Sequence, residues 1–146
     1  MSVITRRVYE PASRTDGARV LVDRLWPRGL SKSSAAIDEW LRDLAPSHEL
    51  RRWYHARPSQ WLEFRKRYLH ELAQPAAELA LCRLYVLAHQ RKRLTLVFAS
   101  KSETRNNATV LKELLEGKRK PPKGTGSRAA RGMRGRKTAA LPLRGN

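Results

Sequence analysis

The chain reads as an α/β domain: a small parallel or mixed sheet of about three strands, covered by four to five helices and followed by a disordered basic C-terminal tail. Three observations carry that reading. Residues 94–99, Leu-Thr-Leu-Val-Phe-Ala, form a continuous apolar run bounded by charge, the pattern of a strand buried on both faces. A second short run, Val20-Leu21-Val22, stops abruptly in Asp23-Arg24-Leu25-Trp26-Pro27-Arg28-Gly29. Between the two lie segments whose apolar residues recur at helical spacing, so strands alternate with helices.

Taken in order, Val3–Tyr9 and Arg19–Val22 predict two strands, joined through a turn at Pro11–Gly17 that contains Asp16-Gly17 and arranged as a hairpin or a neighbouring pair. A helix is predicted from about Ser34, because Ile37, Trp40, Leu41 and Leu44 fall at i, i+3, i+4 and i+7, and Pro46 stops it. Ser47 is the N-cap of the next helix, with Glu49 in the first turn and Leu50, Trp53 and Tyr54 on one face. Pro58 opens a third, whose inward stripe is Trp61, Phe64, Tyr68 and Leu72 and whose Glu63 and Arg67 pair at i, i+4. A fourth begins at Pro75, carries Leu79, Cys82 and Val86, and ends in Arg91-Lys92-Arg93, charges that suit a helix C-terminus. Residues 94–99 are the central strand. A last helix spans Thr104–Glu116 with Ala108, Leu111, Leu114 and Leu115 inward and Gly117 as its C-terminal stop.

The domain is expected over residues 1–116. The chain carries 31 Lys and Arg against 13 Asp and Glu; ten of the bases and none of the acids fall in 117–146, so 1–116 holds 21 bases, 13 acids and a net charge of +8. The tail has no aromatic residue and cannot bury enough apolar surface to offset its chain entropy. Such a field favours polyanions: nucleic acid, which the tail from Lys118 to Arg144 would bind without sequence preference, or phosphorylated small molecules.

One cysteine, Cys82, excludes an internal disulfide and fits a reducing, cytoplasmic setting, and its apolar helical surroundings read as a buried, inert thiol. No apolar run approaches the roughly 20 residues of a membrane span, so no membrane partner is expected. His70-Glu71-Leu72-Ala73-Gln74 has Gln where the zinc-protease helix needs its second His, and no metal or other cofactor is expected. The GxSxG elbow, the phosphate loop ending in Gly-Lys-Ser/Thr and the dinucleotide glycine fingerprint are all absent from the sequence.

The candidate site is where the two best strands end. In parallel α/β sheets ligands bind outside the carboxyl ends of the strands. At the first exit Arg24, Arg28 and Lys32 can hold a phosphate or carboxylate, since a guanidinium donates two parallel hydrogen bonds to either. Asp23 is the candidate general base or the partner that orients an arginine, and Trp26 is a stacking wall. At the second exit Ser100, Asn106 and Asn107 supply opposing polar contacts, and Ser102 or Thr104 caps the last helix. The competing reading makes Asp23 an internal ion pair and Trp26 a core residue.

The blocks DGARVLVDRLWPRGLSK, WLRDLAPSHELRRWYH, FRKRYLHEL and LTLVFAS, the last followed by NNATVLKELL, resemble the bacterial DUF488 family over about Val3–Leu115. The resemblance implies a compact α/β domain and no established activity, cofactor or substrate. The family's blocks fall on Asp16, Gly17, Arg19, Asp23, Arg24, Trp26, Pro27, Arg28, Gly29, Lys32, Pro46, Ser47, Asn106 and Ala108. Where the family pattern reads Asn-His-Ala, this chain has Asn106-Asn107-Ala108. If that histidine moves a proton, this member lacks the group. The function expected is binding of a phosphate-bearing or nucleotide-like ligand in an Arg-lined pocket. The alternative is a non-catalytic nucleic-acid-associated protein.

Overall fold

The structure is a computed structural model that describes residues 2–117; the expected basic tail lies outside the described residues. Four strands, β1 (Ser2–Arg7), β2 (Ala18–Leu21), β3 (Glu39–Trp40) and β4 (Arg93–Phe98), form one sheet in the order β1-β4-β2-β3. All neighbours run parallel, with Val3 beside Leu94, Val20 beside Leu96 and Leu21 beside Trp40. Residues 94–98 are buried, and this strand lies inside the sheet, as its apolar run requires.

Five helices complete the domain: α1 (Lys32–Ala35), α2 (His48–His55), α3 (Trp61–Glu71), α4 (Pro75–Gln90) and α5 (Asn107–Leu115). The main core combines Val3, Val20, Val22, Leu94, Leu96 and Phe98 of the sheet with the inner faces of α2 to α5. On the opposite face Leu21, Val97, Val8 and Ala35 are covered by Trp26, Leu30, Ile37 and Trp40. A four-residue helix and its loops thus stand where a doubly wound sheet carries full-length helices.

Several expectations need correction. β1 and β2 are neither a hairpin nor neighbours, because β4 lies between them and pairs with both. The helix expected over 34–44 is instead α1, β3 and a 3-10 turn at Arg42–Leu44. Ala36 ends α1 in the left-handed region, at φ 52°, and the Asp38 carboxylate accepts the Arg19 N–H at 2.8 Å, which pulls the chain alongside β2. Ile37 and Trp40 then cover one face of the sheet while Leu41 and Leu44 join the other, so the helical spacing of these four residues is divided between two layers. α3 starts at Trp61, with Pro58 in the turn before it. The buried face of α4 is Ala77, Ala80, Leu81, Leu84, Tyr85, Leu87 and Ala88; Leu79 is 57% exposed and Cys82 is only half-buried. The Ser47 cap, the stripe of α3 and the Glu63–Arg67 pair at 2.8 Å form as expected.

Polar groups tie β2 to what surrounds it. The buried Arg19 guanidinium donates to the buried Asp16 carboxylate at 2.6 Å and to the Ala35 and Ala36 carbonyls at 2.9 Å each, while the Thr95 hydroxyl donates to the Asp16 carbonyl at 2.7 Å. Gly17, at φ 66°, passes so close to β4 that a Cβ there would lie 2.4 Å from the Arg93 carbonyl oxygen. Gly29 has a similar φ, 83°, and open space around it. Gly17→Ala is therefore expected to destabilise the protein by well over about 2 kcal/mol, and Gly29→Ala by only the roughly 1–2 kcal/mol of left-handed strain. Urea denaturation of the two variants measures the difference, and equal losses would contradict the close approach.

Candidate functional site

Because all four strands are parallel, the segments leaving β2, β3 and β4 emerge at one edge of the sheet. Asp23 lies two residues past β2 and Ala99 one residue past β4. The Asp23 carboxylate accepts the Ala99 backbone N–H at 2.8 Å with one oxygen and the Asn107 side-chain amide at 3.2 Å with the other. The same Asn107 amide donates to the Val22 carbonyl at 2.8 Å, and the Trp40 indole N–H donates to the Asp23 carbonyl at 2.7 Å. One residue thereby joins β2, the neighbourhood of β3, the exit of β4 and the first turn of α5. Burial raises the Asp23 pKa above its ordinary value, opposed by the Ala99 N–H, the Asn107 amide and the charge of Arg51. Close by, the buried Tyr68 hydroxyl donates to the Leu44 carbonyl, and burial holds its pKa well above the usual phenol value.

The other residues named from sequence have separate surroundings. Trp26 donates its indole N–H to the Leu30 carbonyl at 2.7 Å and meets Trp40 edge-on, with ring centroids 5.5 Å apart, on the thinly covered face of the sheet. Arg28 and Lys32 are exposed, and the Arg28 carbonyl accepts the Tyr9 hydroxyl at 3.1 Å. Ser100 is exposed; its hydroxyl accepts the Ser102 N–H and its carbonyl accepts the Arg7 guanidinium at 2.9 Å. Asn106, rather than Ser102 or Thr104, caps α5: its side-chain oxygen accepts the Thr109 N–H at 2.9 Å while its amide donates to the Ser102 carbonyl. Asp23 and Asn107 are brought together, whereas Arg24 turns the other way.

Arg24 leaves β2 toward the segment after β3, where its Nη2 donates to the Ala45 carbonyl at 3.0 Å. A guanidinium has five N–H donors. Only this one finds an acceptor among the described residues; Nε is buried with none, and Arg24 forms no ion pair there. The side chain lines a cleft of about 320 Å³ together with Asp43, Ala45, Ser47, Glu71, Leu72, Gln74, Ala76 and Ala77. Glu71 accepts both the Ser47 N–H at 2.8 Å and the Ser47 hydroxyl at 2.6 Å, which anchors the start of α2 on the end of α3. α4 begins at the same cleft with Pro75 in its first turn and no side-chain cap from Gln74, leaving first-turn N–H groups without a side-chain acceptor.

Sequence reasoning singled out Arg24 but did not place the Gln74–Ala77 and Ser47–Glu71 segments beside it. Pro75 and Ser47 did mark two helix starts, but nothing in the order of residues says that both starts face one arginine.

The architecture is that of a small all-parallel α/β domain with polar residues gathered at the carboxyl ends of its strands. The chain matches the family model described as "Inactive DUF488-N3 subclade" over residues 2–130, and it belongs to the DUF488 family. It is 44% identical over 115 residues to the uncharacterized protein YeaO of Escherichia coli (strain K12), a match spanning 79% of this chain and 97% of that protein. It is likewise 44% identical over 112 residues to the uncharacterized protein Rv3073c of Mycobacterium tuberculosis (strain ATCC 25618 / H37Rv), covering 77% of this chain and 92% of the relative. No solved structure matches the chain with significance. Among the described residues no helix is long and apolar enough to cross a membrane, and no group of three or more His, Cys, Asp or Glu is placed to hold a metal ion.

The raised Asp23 pKa sets a pH dependence. The folded protein holds this proton more firmly than the unfolded chain does, so the contribution to stability is complete below the ordinary value of 3.8 and is lost as pH rises through the higher folded value. Asp23→Asn removes that titration. Urea unfolding at a series of pH values should show wild type losing stability relative to Asp23→Asn as pH rises from below 3.8 toward neutrality; a constant difference would mean the carboxylate is not desolvated.

Proposed function

We propose that this DUF488 protein binds a phosphate-bearing or nucleotide-like ligand, without chemistry on it, in the cleft that Arg24 shares with the first turn of α4. The observation that carries the reading is Arg24 itself, half-buried at the carboxyl edge of a parallel sheet with one of its five donors taken up among the described residues. Arg24 lines the cleft with donors that no acceptor among the described residues takes, and an anion there would supply one. The positive end of α4, which no side chain caps among the described residues, adds to the attraction. Exposed Arg28, Lys32 and Lys101 belong to segments near the same edge and raise its positive potential.

Binding without turnover is favoured by the state of Asp23. Each of its oxygens is engaged by a neutral donor of the protein that holds the carboxylate in place between the strand exits, and residue 107 is an amide that does not titrate near neutrality. The family description, which calls the subclade inactive, points the same way.

The competing occupant is the phosphate backbone of a nucleic acid, favoured by the net charge of +18 and the ten bases in 117–146. Thermal shift with a panel of nucleotides and sugar phosphates, run on the full chain, on a chain ending at Gly117 and on Arg24→Ala, separates the two. The pocket reading expects stabilisation by at least one phosphorylated compound that survives truncation and is lost, by about tenfold or more in affinity, in Arg24→Ala. Far-UV circular dichroism checks that the variant folds. Binding of nucleic acid alone, abolished by truncation and indifferent to Arg24→Ala, would replace the pocket with the tail.

A further inference from the structure

The charges opposite Arg24 say more about what the cleft accepts. Asp43, in the turn after β3, and Glu71, at the end of α3, both line it, and neither is ion-paired with a cation among the described residues. Counted over its side chains, the cleft holds one guanidinium and two carboxylates. A plain dianionic phosphate would gain from Arg24 and from the start of α4, but it would meet like charge from Asp43 and Glu71, which line the same cleft. The two carboxylates are not equivalent. Glu71 already accepts the Ser47 N–H and hydroxyl, so its oxygens keep only part of their acceptor capacity, whereas Asp43 is exposed and accepts no hydrogen bond from another residue among the described residues. Leu72, Ala45, Ala76 and Ala77 make the rest of the wall apolar.

We infer that the ligand of the cleft is a small phosphate-bearing amine, with its phosphate on Arg24 and its ammonium on Asp43, Glu71 adding attraction for the cation from behind. The inference rests on the anion site proposed above and specifies its ligand class. A volume of about 320 Å³ lies at the small end of ligand pockets and suits a compact molecule rather than a dinucleotide. An ammonium supplies the opposite charge that both carboxylates lack and removes the repulsion that a phosphate alone would meet. Such a site discriminates between an amino-phosphate and its uncharged-alcohol counterpart by charge, not by size.

Isothermal titration calorimetry of the full chain with phosphoethanolamine, glycerol 3-phosphate and inorganic phosphate tests this directly. Phosphoethanolamine is expected to bind about threefold or more tighter than glycerol 3-phosphate, the size of effect one exposed charge pair gives. Asp43→Asn, a change at an exposed position, is expected to erase that ratio by weakening phosphoethanolamine while leaving glycerol 3-phosphate unchanged or slightly tighter. Equal affinity for the two compounds, or a ratio indifferent to Asp43→Asn, would overturn the amine requirement and leave the anion site standing. No binding of any of the three, or binding that persists in Arg24→Ala, would remove the anion site and this inference together.

Discussion

A strand covered on both faces has to give every backbone polar group to a neighbour, and β4 meets that demand by pairing in parallel with β1 on one side and β2 on the other. Most of the molecule follows from this placement. Parallel partners need crossovers, so the chain between β2 and β4 carries four of the five helices, and three of those cover the main core. Parallel direction also puts every strand exit at one edge, which is why a carboxylate after β2 can accept an N–H after β4. The Asp16–Arg19 pair and the close pass of Gly17 to Arg93 fix β2 against β4 at the opposite end of the strands.

The Asp23 network shows how a polar residue at a strand exit can be used for construction. Its two oxygens and its carbonyl receive three donors from three segments, so removing it would loosen the exits of β2 and β4 and the start of α5 at once. With the exits locked, Arg24 is directed into the neighbouring cleft and not into the space between the two exits. The cleft that Arg24 lines therefore lies between the exit of β2, the turn after β3, the end of α3 and the start of α4, and its charge is mixed although the chain carries a strong net positive charge.

The least regular part of the fold is also where periodicity misled. Ile37, Trp40, Leu41 and Leu44 have the spacing of a helix face, yet Ala36 in the left-handed region and Asp38 bound to the β2 backbone make the segment an edge strand whose apolar residues serve two layers. Spacing reports that residues are buried and not which surface buries them. Leu79 and Cys82 misled for a related reason: α4 is apolar nearly all round, and the neighbours against it, not its sequence, select the face containing Leu81, Leu84 and Leu87.

Several features were determined by the order of residues alone. The apolar run of 94–99 required an interior strand, Ser47 required a helix start, the stripe of Trp61, Phe64, Tyr68 and Leu72 required a helix with one buried face, and Asp23 and Asn107 were already marked as polar residues at two strand exits. These rest on local chemistry, on the burial of consecutive apolar groups and the capping of orphan N–H groups, which act over a few residues. Only the tertiary structure decided the strand order, the splitting of 34–44 between two faces and the company Arg24 keeps. Those depend on which distant carbonyls and carboxylates, those of Ala45, Asp43 and Glu71, arrive beside a given donor, and that is set by how the crossovers pack and by nothing within reach along the chain.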